Sequence, residues 1–449
     1  MSLNHVSAIG LAVMLLLTGC IESDDLENDD SDLTTAKESG DNILGCTYTS
    51  ADNFQSNATV DDGSCLFEDS LEAEYDEGYE DGFDEGYEDG YDVGYIEGYD
   101  YGYNEGYNHG LNDGGSSVST LDTIIERGYM MCGVKSSQYG MGYQEDDGTY
   151  SGLDIEYCKA IAAAIGLDPE TDVEYVLASA SYRFELLASE EIDVLIRTTT
   201  WTTSRDANLN ADFAAVNFYD GQGILVNKDV FPNATSALHL DGAKICVAID
   251  STSAGNIADY FSANNIQYDA VGSQSEGDDF KNGNCDAVTG DMSALVASKW
   301  TLGQDDEVEF EMAIMPELLS KEPLASATRD YDTEWNEVVS WVWYGMLTAE
   351  ELGVNSTNYE ELAENSCDGE DYDAAICRLL THNLGLGTDA NPLSEIWMQD
   401  VLAAVGNYQE AYTESFCTYD DSGDCLIDRA GTLNAPWWEG GLQYAPPMR

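Results

Sequence analysis

The chain has 449 residues, and its 87 Asp and Glu against 16 Lys and Arg give a formal net charge of −71 at pH 7. A surface this acidic repels nucleic-acid phosphates and anionic lipid headgroups, which excludes roles that depend on binding either of them by charge. The length and a hydrophobic content of 43% are enough for two or three domains with their own cores.

The first 20 residues have the pattern of an export signal. Residues 6–17 form an apolar run of signal-peptide length, and the lipobox-like sequence LTGC follows it and ends at Cys20. Cleavage before Cys20 would leave its thiol to carry lipid, so we expect residues 1–20 to be a lipoprotein signal peptide. An ordinary secretory signal peptide is the alternative, since no Lys or Arg precedes the apolar run. No later apolar run reaches 18 residues, so no spanning helix is predicted.

Two short segments follow this signal. Residues 21–44 are acidic and poor in aromatics, so they cannot bury enough apolar surface to fold and are expected to be a disordered tether. Residues 45–69 resemble the small Cys-bounded repeats of secreted microbial surface proteins. Asp52, Asp61 and Asp62 could hold a hard cation such as calcium, although a solvated acidic loop is the favoured interpretation.

A strict period of four marks residues 72–114. Glycine recurs at every fourth position from Gly78 to Gly114, and an aromatic residue usually follows it. A helix would carry these residues as a glycine groove beside an aromatic stripe, through which the segment could self-associate. Each glycine costs about 1 kcal/mol relative to alanine in a helix. The segment is therefore predicted to be a helical or semi-ordered spacer, with an extended disordered tether as the alternative.

Strands and helices alternate from residue 121, which predicts an α/β fold with parallel sheets. Strands are expected at 129–134, 173–178 and 193–196, and helices at 153–165 and 182–189. The third strand leads into the loop from Leu195 to Asp206, which combines hydroxyl groups and backbone donors with Arg205. Because a guanidinium fork can hold a carboxylate by two parallel hydrogen bonds, this loop outlines a carboxylate receptor.

A second unit repeats this pattern. A strand at 244–249 leads into a helix that runs through Phe261, and the hydroxyl residues at its start are expected to cap it and to form a second anion site. The next strand ends at Asp291. Chain crossings near 221–226 and 315–323 imply two lobes, a hinge and a cleft between them, and an amphipathic helix at 333–353 returns to the first lobe.

Five motifs occur in order along this part of the chain. They are SGLDIEYCKAIAAAIG from Ser151, RTTTWTTSRD from Arg197, NFYDGQGILV from Asn217, KEPLA from Lys321 and GGLQYAPPMR from Gly440. Over residues 121–449 the sequence resembles the solute-binding subunits of ABC importers for polar amino acids, and most closely the general L-amino-acid-binding type. The resemblance implies a two-lobed periplasmic-binding-protein-like fold, with lobe 1 at 121–222, lobe 2 at 223–320, and lobe 1 with C-terminal helices at 321–449.

The resemblance also implies a function. The chain would be an extracytoplasmic lipoprotein, anchored to the membrane through Cys20 and raised from it by the acidic and Tyr/Gly-repeat stalk. It would capture L-amino acids by hinge closure and deliver them to ABC permease subunits. No enzyme activity, cofactor, metal or nucleic-acid partner is expected.

Site residues follow from the matching positions. Arg205 would bind the ligand α-carboxylate, with Thr198 and Thr200 supplying hydroxyl and backbone donors. Thr252 and Ser253, at a helix start in the other lobe, would close on the same group. A zwitterion in a closed cleft needs both charges paired, because an unpaired buried ion is costly.

Asp291 would bind the α-ammonium group. Gln138 and Tyr139 are weaker candidates for the side-chain pocket, and Trp201 could wall the site. Arg197 stands where many amino-acid binders have a small residue. It could add affinity for an acidic side chain, or point away.

Each of these assignments has a structural alternative. Arg205 could be a surface residue paired with Asp206, the threonine run could be a β-rich edge, and Asp291 could cap the following helix. The tryptophans of the returning helix are expected in the core. They are Trp335, Trp341 and Trp343.

The cysteines indicate an oxidising compartment. Eleven cysteines minus Cys20 leave ten, and four scattered histidines do not make a zinc site. Proximity and the resemblance together favour five disulfides, with reduced core cysteines as the alternative. The pairs are Cys46 with Cys65, Cys132 with Cys158, Cys246 with Cys285, Cys367 with Cys377, and Cys417 with Cys425.

Three other functional classes stay open. The same fold is used by some exported enzymes, but the sequence offers no nucleophile paired with a histidine and no phosphate-binding loop. A ligand-presenting sensor subunit would share every binding residue. A surface adhesion or assembly protein would act through the Tyr/Gly repeat.

Overall fold

The computed structural model describes residues 54–60, 118–249, 251–367, 372–418 and 424–449. The chain separates into two units at Gly114, and the architecture below is that of the second unit, Gly115–Arg449. The predicted signal peptide with Cys20, the tether, the Cys46 to Cys65 pair, the Asp-rich loop and the Tyr/Gly repeat lie outside the described residues. Within those residues no helix combines the length and apolar character that crossing a membrane requires.

Strands and helices alternate through most of the second unit. The strands are β1 (Met130–Val134), β2 (Ser137–Gln138), β3 (Gly142–Gln144), β4 (Tyr150–Ser151), β5 (Val173–Leu177), β6 (Val194–Leu195), β7 (Ala211–Asp220), β8 (Gln222–Asn227), β9 (Ala243–Ala248), β10 (Tyr268–Ser273), β11 (Ala287–Asp291), β12 (Met312–Ile314) and β13 (Glu322–Arg329). The helices are α1 (Thr120–Arg127), α2 (Leu153–Ala164), α3 (Arg183–Ala188), α4 (Thr203–Asn208), α5 (Thr252–Ala263), α6 (Glu276–Lys281), α7 (Met292–Gly303), α8 (Thr333–Glu351), α9 (Tyr359–Asn365), α10 (Ala374–Thr381), α11 (Trp397–Val405) and α12 (Tyr408–Cys417).

The strands form two five-stranded sheets of the same design. One has the order β5-β1-β6-β13-β7 and the other the order β10-β9-β11-β8-β12, and a small third sheet is formed by β2, β3 and β4. The expected α/β architecture of two lobes is confirmed, and each large sheet defines one lobe. In lobe 1, β1 pairs in parallel with β5 and β6, and in lobe 2, β9 pairs in parallel with β10 and β11.

The sheets are mixed, which corrects the expectation of purely parallel lobes. In each sheet one strand runs against its neighbours: β13 is antiparallel to β6 and β7, and β8 is antiparallel to β11 and β12. Both are the strands by which the chain enters a lobe from the other one. A strand that arrives from the hinge side has to enter the sheet in the opposite direction, so the hinge connections impose the reversal.

The two connections between the lobes lie against each other. The first is Gly221, which separates β7 of lobe 1 from β8 of lobe 2, and the second joins β12 to β13. A Cβ atom at Gly221 would lie 3.0 Å from both the Ser320 carbonyl oxygen and the Leu318 side chain of the second connection. Glycine therefore lets the two connections pass closely at the base of the interlobe boundary.

Helix α8 anchors the core of lobe 1. Its apolar positions recur at helical spacing, and Trp335, Val338, Val339, Val342 and Met346 are fully buried. The Trp335 indole N–H donates to the Asp193 carbonyl oxygen at 2.9 Å. Trp343 is likewise buried and Trp341 is partly buried against the same core, so the prediction that these tryptophans are core residues is confirmed.

Eight cysteines of the second unit are paired as predicted. The disulfides are Cys132–Cys158, Cys246–Cys285, Cys367–Cys377 and Cys417–Cys425. Cys132 and Cys158 join β1 to α2, and both are fully buried. The alternative of reduced core cysteines is wrong for these eight residues.

Candidate functional site

The buried carboxylate of Asp154 holds the loop between β6 and α4 by a hydrogen bond. Thr198 has a φ of +35°, a conformation that residues other than glycine rarely adopt. Its backbone N–H donates to Asp154 Oδ2 at 3.0 Å, and Asp154 Oδ1 accepts from Asn217 Nδ2 at 2.9 Å. Burial raises the pKa of Asp154 to about 6, against the opposing effect of these hydrogen bonds. Asp154 therefore positions the loop.

Thr199 and Thr200 connect the same loop to β13. Thr200 forms an isolated antiparallel bridge with Leu324, and the Ala325 N–H donates to the Thr199 carbonyl oxygen at 2.9 Å. Thr198, Thr199 and Thr200 are all buried. The threonine run thus makes one edge contact with the sheet, while most of it forms the turn that leads into α4.

Arg205 lies on α4 and is buried at the end of this loop. Helix α4 is capped by the Thr202 hydroxyl, which accepts from the Arg205 N–H at 3.3 Å. Arg205 Nη1 donates to the Thr200 carbonyl oxygen at 3.0 Å, and the guanidinium carbon is 5.7 Å from the centroid of the Phe184 ring. The alternative of a surface residue paired with Asp206 is wrong, because Arg205 is buried and forms no ion pair with any described residue.

The charges that act on Arg205 come from the hinge and from lobe 2. Burial lowers the pKa of Arg205, and Glu322 and then Asp291 oppose that shift. The guanidinium keeps donors beyond the single bond to Thr200. It is therefore a fixed cation at the interlobe boundary that can bind an anion.

Asp291 is the matching anion in lobe 2. It ends β11 and occupies the N-cap position of α7, yet its side chain accepts no capping hydrogen bond from that helix. Burial raises the pKa of Asp291 to about 7, with Asp220 and Glu322 adding to the rise and Lys135 and Arg197 opposing it. A carboxylate with so little local stabilisation is available to pair with a cation.

The start of α5 differs from its predicted arrangement. Ser251 occupies the N-cap position, but its hydroxyl donates to the Ala248 carbonyl oxygen at 2.7 Å and does not cap the helix. The Thr252 hydroxyl donates to Glu322 Oε2 at 3.1 Å. Ser253 is buried, and its carbonyl oxygen accepts from Gln222 Nε2 at 2.9 Å. The predicted side-chain capping is wrong, because the hydroxyl groups of Ser251 and Thr252 donate to other acceptors.

Gln138 and Tyr139 join the two lobes. Gln138 Nε2 donates to the Ser293 hydroxyl of lobe 2 at 3.0 Å, and its Oε1 accepts from Lys135 Nζ at 2.9 Å. Tyr139 makes an edge contact with Trp300 of lobe 2 at 4.7 Å between ring centroids. The structure thus brings these residues to the interlobe boundary, where the oxygen and the nitrogen of the Gln138 side-chain amide each have a protein partner.

Trp201 lies at the outer part of the loop. Its ring stacks on Phe213 at 5.5 Å between centroids, and the side chain is 37% exposed. The backbone N–H of Trp201 donates to the Pro323 carbonyl oxygen at 2.9 Å. This position on lobe 1, beside the loop of Arg205, is compatible with the predicted role as a wall.

Two cations were missed by sequence reasoning. Lys135 follows β1, and burial together with Arg197 lowers its pKa to about 8. Arg183 begins α3, is only 3% exposed and has a buried Nε without a hydrogen-bond partner. Arg197, which the sequence left undecided, donates from Nε to the Ala178 carbonyl oxygen at 2.8 Å. No sequence signal marks Arg183, because its position at the site depends on the packing of α3.

Gln222 is a further residue that the sequence did not single out. It lies directly opposite Asp291 in the antiparallel pair of β8 and β11. Its Nε2 donates to the Thr289 hydroxyl at 2.8 Å, while its buried Oε1 has no partner among the described residues. Its place inside the motif NFYDGQGILV was the available signal. Gln222 offers an acceptor beside Asp291.

Comparisons with known proteins agree with this arrangement. The profile of the bacterial extracellular solute-binding proteins, family 3, matches residues 130–339. The glutamate/glutamine/aspartate/asparagine-binding protein of Rhodobacter capsulatus is 40% identical over 341 residues, which cover 74% of this chain and 94% of that protein. The general L-amino acid-binding periplasmic protein of Rhizobium johnstonii is 39% identical over 339 residues, with the same coverage of both chains.

A solved structure shares the fold as well. The periplasmic binding protein of an ABC transporter from Brucella ovis, with glutathione bound, is 38% identical and superposes with a TM-score of 0.66. The match covers 74% of this chain and all of that chain.

Proposed function

This chain belongs to family 3 of the bacterial extracellular solute-binding proteins, and we propose that it captures L-amino acids outside the cytoplasm for ABC permease subunits. The observation that supports this most is the pair formed by Arg205 and Asp291. They belong to different lobes, they have opposite charges, and the charge of Asp291 opposes the lowering of the Arg205 pKa across the interlobe boundary. An α-amino acid carries a carboxylate and an ammonium group that match them.

The proposed binding mode assigns one charge to each lobe. Arg205 binds the α-carboxylate, with donors from the Thr198 hydroxyl and from Thr200, and backbone N–H groups at the start of α5 near Thr252 and Ser253 add to it. Asp291 binds the α-ammonium, with Gln222 Oε1 as a second acceptor. Each charge is paired only when both lobes contact the ligand, so the closed arrangement depends on the ligand.

Hinge closure is part of this proposal. The bond from Gln138 to Ser293 and the contact of Tyr139 with Trp300 join the lobes on the side of the site. Gly221 and the connection from β12 to β13 are where the backbone would turn. The ligand would enter while these contacts are open and leave only after they break.

The relatives support an amino-acid ligand. The Rhodobacter protein is named for glutamate, glutamine, aspartate and asparagine, and the Rhizobium protein for L-amino acids in general. Glutathione, bound in the Brucella structure, also carries an α-ammonium and an α-carboxylate on one carbon. All these molecules share the zwitterionic group that Arg205 and Asp291 would bind.

Calorimetric titration of the ligand-stripped chain with the common L-amino acids tests the proposal. We expect micromolar or tighter binding of at least one of them, and a loss of at least a hundredfold in Arg205→Ala. The matched control is Arg378→Ala, a half-buried arginine whose Nε bonds to the Met448 carbonyl oxygen away from the site. Absence of binding by folded, ligand-free protein would contradict the proposal.

Membrane attachment is a separate part of the proposal. Cys20 would carry the lipid, and residues 72–114 would raise the receptor from the membrane. Replacement of Cys20 by serine should abolish incorporation of labelled palmitate and release the protein from membranes. Deletion of residues 72–114 should leave ligand affinity unchanged, and an affinity loss beyond tenfold would refute the spacer role.

A further inference from the structure

Arg183 is a buried cation whose guanidinium has no described partner. It is 3% exposed, its Nε is buried without a hydrogen bond, and no carboxylate oxygen of the described residues forms an ion pair with it. Burial and the nearby positive charges of Arg197 and Arg205 lower its pKa well below the usual value. A buried charge without a partner is strongly destabilising, so this side chain needs an anion that the described residues do not supply.

Arg429 shows how the same chain satisfies a structural arginine. Its Nη1 and Nη2 donate to the two carboxylate oxygens of Glu350 at 2.8 and 2.6 Å. Arg429 also lies over the ring of Tyr408. Arg183 has a similar aromatic contact, with Phe184 at 5.4 Å, but no carboxylate. The contrast indicates that no described carboxylate serves as the anion for Arg183, and a bound ligand can supply one.

Arg183 belongs to the same site as Arg205. Both guanidinium carbons lie against the ring of Phe184, at 5.4 and 5.7 Å from its centroid. The charge of Asp291, in the other lobe, opposes the lowering of the Arg183 pKa. Arg183 is therefore close both to the proposed α-carboxylate site and to the proposed ammonium site.

Each of the other two cations of the site has one hydrogen bond to a described residue. Lys135 donates to Gln138 Oε1, and the Nε of Arg197 donates to the Ala178 carbonyl oxygen. Once Arg205 and Asp291 have bound the α-carboxylate and the α-ammonium, Arg183 is the cation of the site whose side chain has no hydrogen bond to any described residue. Its donors fit a second carboxylate better than a neutral amide, because guanidinium and carboxylate pair by charge-assisted bonds.

We propose that Arg183 binds the side-chain carboxylate of the ligand, and that the receptor prefers dicarboxylic L-amino acids such as L-glutamate over their amides. The proposal rests on the proposed function, since it assumes that the α-amino-acid group is held by Arg205 and Asp291. Arg183 is then the residue that determines specificity. A glutamine side chain would leave the buried charge of Arg183 without an anion.

The test compares two ligands of nearly equal shape in two variants. Titrations with L-glutamate and L-glutamine would be made on the full chain and on Arg183→Gln. We expect glutamate to bind the unchanged protein at least tenfold more tightly than glutamine. In Arg183→Gln, glutamate affinity should fall at least fiftyfold, while glutamine affinity should fall less than fivefold.

Two controls separate specific binding from indirect effects. Arg378→Gln removes one positive charge elsewhere and should change neither affinity by more than twofold. Arg183→Lys retains the charge without the planar fork, so it should keep a preference for glutamate at reduced affinity. If circular dichroism shows that Arg183→Gln does not fold, the ratio of glutamate affinity to glutamine affinity is compared between the unchanged protein and Arg183→Lys. That comparison then tests whether Arg183 binds the side-chain carboxylate.

Two results would overturn the inference. One is a preference for glutamate over glutamine of less than threefold in the unchanged protein. The other is an equal loss of affinity for glutamate and glutamine in a folded Arg183→Gln. Both leave the proposed function intact if amino acids still bind and Arg205→Ala abolishes that binding. Binding of no amino acid at all would refute the proposed function and this inference with it.

Discussion

Asp154, at the second position of α2, accepts a hydrogen bond at 3.0 Å from the backbone N–H of Thr198, which is 44 residues further along the chain. Asp154 is fully buried and also binds Asn217 of β7. One carboxylate thus connects a helix, a strand and the loop that leads to Arg205. The loop owes its left-handed turn at Thr198 to this contact.

Replacement of Asp154 by alanine should disorder the receptor loop. The N–H of Thr198 and the amide of Asn217 would lose their acceptors, which costs about 1–3 kcal/mol for each buried group. We expect ligand affinity to fall at least tenfold and the free energy of unfolding to fall by about 2 kcal/mol or more. Calorimetry and chemical denaturation measure the two effects. Asp154→Asn keeps one acceptor oxygen, so its losses of ligand affinity and of unfolding free energy should be smaller. An unchanged ligand affinity in Asp154→Ala would contradict the role of Asp154 in positioning the loop.

Ligand binding should depend on pH through Asp291. Burial, with Asp220 and Glu322, raises its pKa to about 7, so the carboxyl group is partly protonated near neutral pH. A ligand ammonium favours the ionised form and lowers this pKa, so binding releases a proton. Affinity should therefore be highest above pH 7 and fall as pH decreases through 7, by up to about tenfold per unit.

Titration at pH 5.5, 6.5 and 7.5 in buffers of different ionisation enthalpy measures this proton release. In Asp291→Asn the proton release should be much smaller, and the weakened affinity should change little between pH 6.5 and 7.5. Proton uptake on binding, or a flat profile in the unchanged protein, would show that Asp291 does not receive the ammonium group.

The contact between Gln138 and Ser293 should slow ligand release. It is a buried hydrogen bond of 3.0 Å between the two lobes, and such a bond contributes about 0.5–1.5 kcal/mol. Gln138→Ala should raise the dissociation rate of the ligand roughly three- to tenfold with little change in the association rate. Stopped-flow fluorescence measures both rates. Gln144→Ala, at an exposed glutamine of β3, is the control and should change neither rate.

The disulfide between Cys132 and Cys158 should contribute more to stability than the one between Cys417 and Cys425. The first closes 26 residues and the second closes 8, and the constraint on the unfolded chain grows with loop length. Double replacement of Cys132 and Cys158 by alanine should lower the free energy of unfolding by about 3 kcal/mol. Chemical denaturation of the two double variants measures both contributions. An equal or larger loss of unfolding free energy on removal of the Cys417–Cys425 disulfide would contradict the prediction that Cys132–Cys158 contributes more.

Local patterns in the sequence predicted the framework of the site. The helix at 153–164 and the helix at 333–351 have apolar residues at helical spacing, so their existence and position followed from sequence, as did the strand that delivers the loop of Arg205. The cysteine pairs within the second unit were also predicted, from proximity in the sequence and from the resemblance. Each of these features depends mainly on residues that are close in sequence, or on an ordered set of motifs.

Long-range packing placed the residues that the sequence missed. Arg183 is at the site because α3 packs beside the loop, and Asp154 supports Thr198 across 44 residues. Thr252 was expected to cap α5 and to close on the ligand carboxylate, but its hydroxyl donates to Glu322, from the other side of the hinge. None of these contacts has a local signal, because each depends on how the hinge connections and sheets are arranged.

A crystal structure of the protein with L-glutamate bound would test the central claim most directly. We expect the ligand between the two lobes, with its α-carboxylate on Arg205 and its α-ammonium on Asp291, each at about 3 Å. The side-chain carboxylate should lie on Arg183. A ligand bound elsewhere on the chain, or bound here with its α-carboxylate away from Arg205, would show that Arg205 and Asp291 do not form the amino-acid site.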